Sequence, residues 1–195
     1  MGSCEPMTAI DESREAGVAG APGVSAVEFR EAMGHFATGV TVVTSIGGDG
    51  EPVGTTANAV TSLSLDPPLL LVCFDLSSAT LGAIRSHGAF VVNVLGEAQR
   101  DVAMHFAGRP MPTPVAWLDE HGDHPRLAGA VGHLCCRVWR NYDGGDHVLH
   151  VAEVTDLALR GGRPLLFHRG EFPRLADGDP VWSQSLDGYA PQLIS

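Results

Sequence analysis

No lysine occurs in this 195-residue chain: all 12 basic residues are arginine, set against 23 acidic residues for a net charge of −11. Without a lysine amine, Schiff-base chemistry and the P-loop lysine are excluded. The acidic balance disfavours nucleic acid or an anionic membrane as a partner, because both demand a basic face, so small molecules or proteins are expected instead. The four cysteines (Cys4, Cys73, Cys135, Cys136) show no CxxC spacing. Adjacent Cys135 and Cys136 would point to opposite faces of a strand, and reduced, intracellular thiols are expected. No run reaches the ~18 apolar residues of a membrane span, and the N-terminus has neither a basic start nor an apolar core. No secretory signal is expected, and the expected location is cytoplasmic.

Several catalytic signatures are missing as well. Gly47, Gly48 and Gly50 do not complete a dinucleotide fingerprint, because position 53 is Val and a strand-like pattern follows; they read as a turn. There is no G-x-S-x-G elbow and no H-E-x-x-H, while His121 and His124 sit in a Gly/Pro/Asp-rich loop without a third ligand. No metal site is expected.

The chain length suits one domain burying roughly 70% of its unfolded surface. Residues 1–24 lack periodicity and are expected to form a flexible extension, with the domain over 25–175 and a polar tail over 176–195. Ser25 and Glu28 form a capping box, Phe29, Met33 and Phe36 recur at helical spacing, and Gly39 reads as a C-cap. The spacing predicts a helix over 26–38 whose apolar stripe packs on a sheet.

From Val40 the pattern turns β-branched. VTVVTSI and PVGTTANAVTSLSL read as two strands around a glycine turn, Pro67 and Pro68 interrupt pairing, and LLLVCFD resumes as a buried strand. SSATLGAIRS and EAQRDVAMHFA read as a loop into a short helix and a second helix, the latter with Val102 and Phe106 on one face, and AFVVNVL as a strand between them. HLCCRVWRNY and HVLHVAEVTDLAL flank the hairpin turn Asp143 to Asp146, and PLLFHR supplies a last strand. Six or seven mostly antiparallel strands with two or three helices suggest a barrel or sandwich.

The run from Gly54 to Leu65 carries no charged residue over twelve positions. Read as one strand, alternation places Thr56, Asn58, Val60, Ser62 and Ser64 on one face, with Thr55, Ala57, Ala59, Thr61, Leu63 and Leu65 on the other. A solvated strand of β-favouring threonines would give the same pattern, but the missing charge suits a face lining an occupied cleft. Ser77, Ser78 and Thr80 lead into a helix, where hydroxyls and free N–H groups either cap it or converge on an anion. Only Arg85 and Arg100 are near enough in sequence to neutralise a phosphate there.

Taken together, FREAMGHFATGVTVVTS, PVGTTANAVTSLSLDPPLLL, FVVNVL, GGDHVLHVAEV and PLLFHRGEF, ordered from Phe29 to Phe172, resemble the flavin reductase family. These are the small NAD(P)H-dependent reductase components of two-component flavin-dependent monooxygenases. The resemblance implies a mainly β (α+β) fold, an antiparallel split β-barrel of the FMN-binding type with a few flanking helices, usually a homodimer with flavin near the subunit interface. It implies that Gly54, Thr55, Thr56, Ala57, Asn58 and Ala59 follow the flavin (FMN or FAD), and that Thr61, Ser62, Leu63 and Ser64 lie beside the isoalloxazine. Cys73, Asp75, Leu76, Ser77, Ser78 and Thr80 match the loop for the ribityl phosphate. Many relatives carry a basic residue in that loop, whereas this chain has Leu76 and Ala79, which suggests a readily exchanging flavin. His147, in a Gly-Asp-His motif, resembles the histidine at the nicotinamide side, and Phe167, His168, Arg169 and Gly170 match a segment near NADH or NADPH. Arg169 would bond its pyrophosphate as a fork of donors.

The implied activity passes hydride from nicotinamide C4 to flavin N5, with the protein supplying orientation and hydrogen bonds rather than a triad. Reduced flavin would leave for a separate oxygenase, since about 150 residues leave little room for a second site. Two alternatives remain open. A pyridoxamine-phosphate-oxidase-like enzyme would be expected to carry more Arg and Lys, and a non-catalytic flavin- or haem-binding protein would be coloured yet inert with nicotinamides.

Overall fold

The computed structural model describes residues 23–118 and 124–176, so nearly all of the predicted extension and tail, together with His121, lie outside the described residues. In chain order the elements are α1 (Ala26–Gly34), β1 (Thr38–Gly39), β2 (Thr41–Ile46), β3 (Pro52–Ala57), β4 (Val60–Leu65), β5 (Pro68–Asp75), α2 (Ala79–His87), β6 (Ala89–Val94), α3 (Arg100–Phe106), β7 (Gly132–Gly144), β8 (His147–Leu159) and β9 (Leu166–Phe167). Seven strands form one sheet in the order β3-β2-β6-β7-β8-β5-β4, with every neighbour antiparallel. β1 and β9 pair separately. The sheet does not close between its outer strands, β3 and β4.

β2 is the strand around which the core is organised. Its residues Thr41 to Ser45 are all buried, the pattern of a strand covered on both faces rather than one half-exposed. Val43 belongs to a cluster with Val72, Phe74, Leu81, Ile84, Phe90 and Val92, which seats α2 on the sheet. Val42, pointing the other way, joins Val40, Leu95, Ala103, Leu127 and Leu165, with Phe106, Trp117, Phe167 and Phe172 packed against them. Burying each such side chain contributes roughly 1.5–3 kcal/mol. Polar groups inside are paired: Asn93 Nδ2 donates to Val42 O and Thr44 Oγ1 at 3.0 Å, and Asn93 Oδ1 accepts from Leu127 N at 2.8 Å.

Four expectations need correction. The run from 54 to 65 is two strands, not one, broken at Asn58 and Ala59, so β3 and β4 sit at opposite edges of the sheet and their faces do not share one alternation. Helix α1 ends at Gly34, not at 38. His35 N donates to Ala32 O and Phe36 N to Met33 O, tightening the last turn, and Thr38–Gly39 is then claimed by pairing with β9. Its apolar stripe does not pack on the sheet, for α1 buries no residue and Phe29, Met33 and Phe36 are exposed. The described strands number nine rather than six or seven, the excess coming from this split and from the two-residue β1, too short to read. Cys135 and Cys136 do occupy different surroundings, both buried, across a register shift in β7. Burial pushes the Cys136 thiol up to about 12.

Candidate active site

Three elements meet at one narrow cleft of about 190 Å³. The end of β3 and the break after it supply Thr55, Thr56, Ala57, Asn58 and Ala59; the end of β5 supplies Cys73, Phe74 and Asp75; Ser78 and His147 complete the lining. The sheet brings these together because Asp75 pairs with His147 across β5 and β8, and Leu76 N donates to Asp146 O at 3.2 Å. Gly145, with φ of +82°, makes the tight turn that delivers His147 to this corner. His147 Nδ1 lies 2.7 Å from Asp146 Oδ1, so a hydrogen on Nδ1 donates to that carboxylate and Nε2 is left for a ligand.

The loop after β5 is tied to itself. Asp75 Oδ1 accepts from Ser77 Oγ at 2.5 Å and from Ser77 N at 2.7 Å, and these bonds hold its carboxyl below the usual carboxylate range. Ser78 caps α2, its hydroxyl accepting from Leu81 N at 3.4 Å. Cys73 is half-buried and burial pushes its thiol up, so it stays protonated at neutral pH and is a poor nucleophile.

Past Asn58, Ala59 and Cys73 the cleft continues into a second of about 360 Å³, lined also by Met33, Phe36, Thr61 and Leu71. A third, of about 600 Å³, lies between α1 and the turn after β9, bounded by Arg30, Glu31, Met33, Phe36, Phe167, Arg169 and Gly170. Asn58 lines all three. Its side-chain amide has no hydrogen-bond partner among the described residues.

Other predicted site residues fall elsewhere. A Cβ on Gly54 would lie 2.9 Å from the Phe106 ring, so the glycine serves the packing of α3. Ser62, Leu63 and Ser64 run along the outer strand β4, with a register shift between Ser62 and Ser64, and line none of these clefts. Leu76 and Ser77 are exposed beside the cleft, and Thr80 is buried within α2. His168 contacts the His35 ring edge-on at 6.4 Å, and the Arg100 guanidinium sits over Phe172 at 5.5 Å, away from the loop it was expected to serve. Sequence reasoning missed Phe74 and the α1 side chains Arg30, Glu31, Met33 and Phe36. The exposed stripe of α1 was the available signal for the last two, read there as core. Among the described residues no group of three His, Cys, Asp or Glu is placed to hold a metal ion, and no helix is long and apolar enough to cross a membrane.

These residues fit a flavin. The walls at 55–61 are small and uncharged, the unpartnered Asn58 amide offers both donor and acceptor, and the connected clefts give a flat ring system room to lie along the backbone. An open antiparallel sheet with such a seam defines a binding protein for a flat, polar cofactor.

Residues 33–176 match the family model described as a flavin reductase like domain. The chain is 44% identical over 146 residues to the reductase component of a 4-nitrophenol 4-monooxygenase/4-nitrocatechol 2-monooxygenase from Rhodococcus opacus, covering 74% of this chain and 78% of that protein. It is 41% identical over 157 residues to an NADH-dependent flavin reductase of a Rhodococcus species, covering 79% and 89%. Among solved structures, the NADH:FAD oxidoreductase SgcE6 of Streptomyces globisporus, in complex with NAD and FAD fragments, superposes with a TM-score of 0.72 at 40% identity, covering 78% of this chain and 94% of that one. The chain belongs to the flavin reductase family, and its open sheet is of that family's split-barrel type.

Proposed function

We propose that this chain is an NAD(P)H:flavin oxidoreductase that supplies reduced flavin to a separate monooxygenase component, working in the cytoplasm as a homodimer. The observation that carries this reading is the junction at Asn58, where a cleft walled on one side by the small uncharged residues 55–59 meets one bearing Arg30 and Arg169. Bound flavin supplies the hydride acceptor, its N5, for the hydride of nicotinamide C4.

The chain's own residues bind and orient. Backbone and small side chains from Thr55 to Thr61 hold the ring, and Ser78 at the start of α2 faces the phosphate end. His147, held by Asp146, offers Nε2 to the nicotinamide side, and the Arg169 fork meets the pyrophosphate. No arginine lines the narrow cleft, and the Asp75 carboxylate does, so an anionic flavin phosphate is held weakly and the cofactor leaves readily. Release suits a carrier that feeds another enzyme.

Two features support the dimer. Phe29, Met33 and Phe36 expose an apolar face on α1, and the flavin cleft is narrower than the roughly 300–1,000 Å³ of a site enclosing a whole drug-sized ligand, so a second subunit would complete its wall.

The direct test follows loss of nicotinamide absorbance when the purified protein meets NADH or NADPH with free FMN or FAD. No flavin-dependent oxidation with any of the four pairs would sink the reading. In the same assay His147→Ala is expected to raise KM for the nicotinamide more than for flavin; an equal or opposite effect would remove His147 from the nicotinamide side.

A further inference from the structure

Where β8 finishes, the core runs out into solvent. Cys136 faces Val154 across β7 and β8 whereas Cys135 faces Asp156, so Thr155 is an extra residue that turns over the alternation of β8. Leu157 therefore pairs with Leu134, which packs against the same core cluster as Val154, and so lies on the core face. Leu159 follows opposite Gly132, where a Cβ on the glycine would lie 3.3 Å from Leu159 Cδ2 and 3.8 Å from Val94 Cγ2. Yet Leu157 is 58% exposed and Leu159 79%. The pairing of β5 with β8 stops at Leu69 and Glu153, so among the described residues no strand continues the sheet on the β5 side of residues 154–159. Core-face leucines beside a free ladder edge make a surface that a further segment can cover.

The chain itself returns to this corner. Arg160 N donates to Val131 O at 2.9 Å, and Arg163 Nη1 donates to Leu175 O at 3.4 Å, almost at the end of the described residues. Beyond Ala176, where the family match also ends, come 19 residues. They carry Asp177, Asp179 and Asp187 and no basic residue, with Val181 and Trp182 between the aspartates. The corner they leave from holds Arg160, Arg163 and Arg174, a charge of opposite sign. Extended, the six residues from Ala176 to Trp182 reach about 20 Å, against about 14 Å for the four residues from Leu159 to Arg163. We propose that Val181 and Trp182, with their flanking aspartates, dock on the Leu157–Leu159 surface of their own chain and cover this end of the open barrel. The indole supplies the apolar area that the two leucines lack, and the aspartates meet the arginines. Leu157 and Leu159 line none of the clefts around Asn58, so the docking stands apart from the reductase reading.

Photocrosslinking in the full chain tests this. A benzophenone amino acid in place of Leu159 is expected to capture residues 177–195, while the same group in place of Tyr142, also exposed but at the other end of β7, is not. Mixing chains labelled with light and heavy nitrogen separates capture within one chain from capture between two. A tail taken only from another chain, a second copy's sheet or helices taken instead, equal capture at Tyr142, or no capture at Leu159 would each overturn the docking. Hydrogen exchange gives a second reading that needs no crosslinker. Trp182→Asp in the full chain should speed exchange of the amides of 155–159 about tenfold and leave those of β2, which report on the fold, unchanged. Rates at 155–159 that do not move overturn the docking as well.

Discussion

Helices α1 and α2 have the same length and the same start, yet opposite fates. Each spans nine residues behind a serine N-cap, Ser25 with a full capping box and Ser78 with a single bond to Leu81 N. α2 buries Thr80, Leu81 and Ile84 and stops at Gly88 in the left-handed region, with its N–H donating to Ile84 O. α1 buries nothing and holds Met33 and Phe36 over the cleft of about 600 Å³. Local signals therefore specify that a helix forms, while the purpose of its greasy face is decided by what the sheet places opposite. α2 is a structural plug, and α1 is one wall of a cleft.

The largest effect that would break this contrast is in the core. Ile84→Ala is expected to cost about 2–5 kcal/mol in denaturant unfolding, against less than about 0.5 kcal/mol for Met33→Ala in the isolated protomer. Equal costs would mean that α1 packs on its own subunit after all.

A pH effect of similar size lies in the core on β8. His150 is fully buried on β8, edge-on to Phe74 at 5.3 Å, with neither ring nitrogen bonded among the described residues. Burial, and to a lesser degree the charge of Arg85, pull it from 6.5 to about 4. The unfolded chain thus takes up a proton that the native one refuses, so stability is full above about pH 6.5 and falls as pH drops toward about 4. The loss is on the order of 3 kcal/mol, with buried His133, also lowered by burial, adding in the same direction. His150→Phe should flatten that part of the curve; an unchanged slope would assign it to other groups.

On the α1 side, replacing Phe29 and Phe36 together by Asp should leave protomer stability within about 0.5 kcal/mol while shifting the protein from dimer to monomer in sedimentation. A dimer that survives puts the interface elsewhere. The smallest effect concerns the caps. Ser78→Ala should cost about 1 kcal/mol of global stability, whereas Ser25→Ala should fray α1 locally, visible as faster amide exchange over 26–34 with no shift in the unfolding midpoint.

The sequence shows those features that short-range chemistry decides. The Ser25–Glu28 box is present as predicted, with Glu28 N donating to Ser25 Oγ at 3.2 Å and Ser25 N to Glu28 Oε2 at 2.9 Å. The hairpin at 143–146 joins β7 to β8 as its turn residues indicate. The break at Asn58 and Ala59 went unread because a lone Asn, with no Gly or Pro after it, is a weak turn signal and the polar alternation runs on through it. Its cause is long-range: β3 is held by β2 and β4 by β5, on strands far apart in the sheet order. The same holds for the site. Residues 55–59, Cys73, Asp75, Ser78 and His147 were legible by motif and do share a cleft, whereas Arg30 and Phe36 enter only because the chain returns as β9 beside α1. Gly54 was grouped with the ligand residues, but the Phe106 ring against which it packs is about a third of the domain away in sequence.

One consequence follows from β3 and β4 being consecutive in the chain yet the two free margins of the sheet. Whatever occupies the seam at 58–59 acts as a clasp, joining margins that share no hydrogen-bonded ladder. Loading the clasp ties together the motions of both outer strands, so the amides of 52–57 and 60–65 should gain protection as a single unit when flavin binds and lose it together when the reduced form departs. On the proposed flavin reading, the gap that keeps the barrel from closing is the place where both margins would feel the ligand at once.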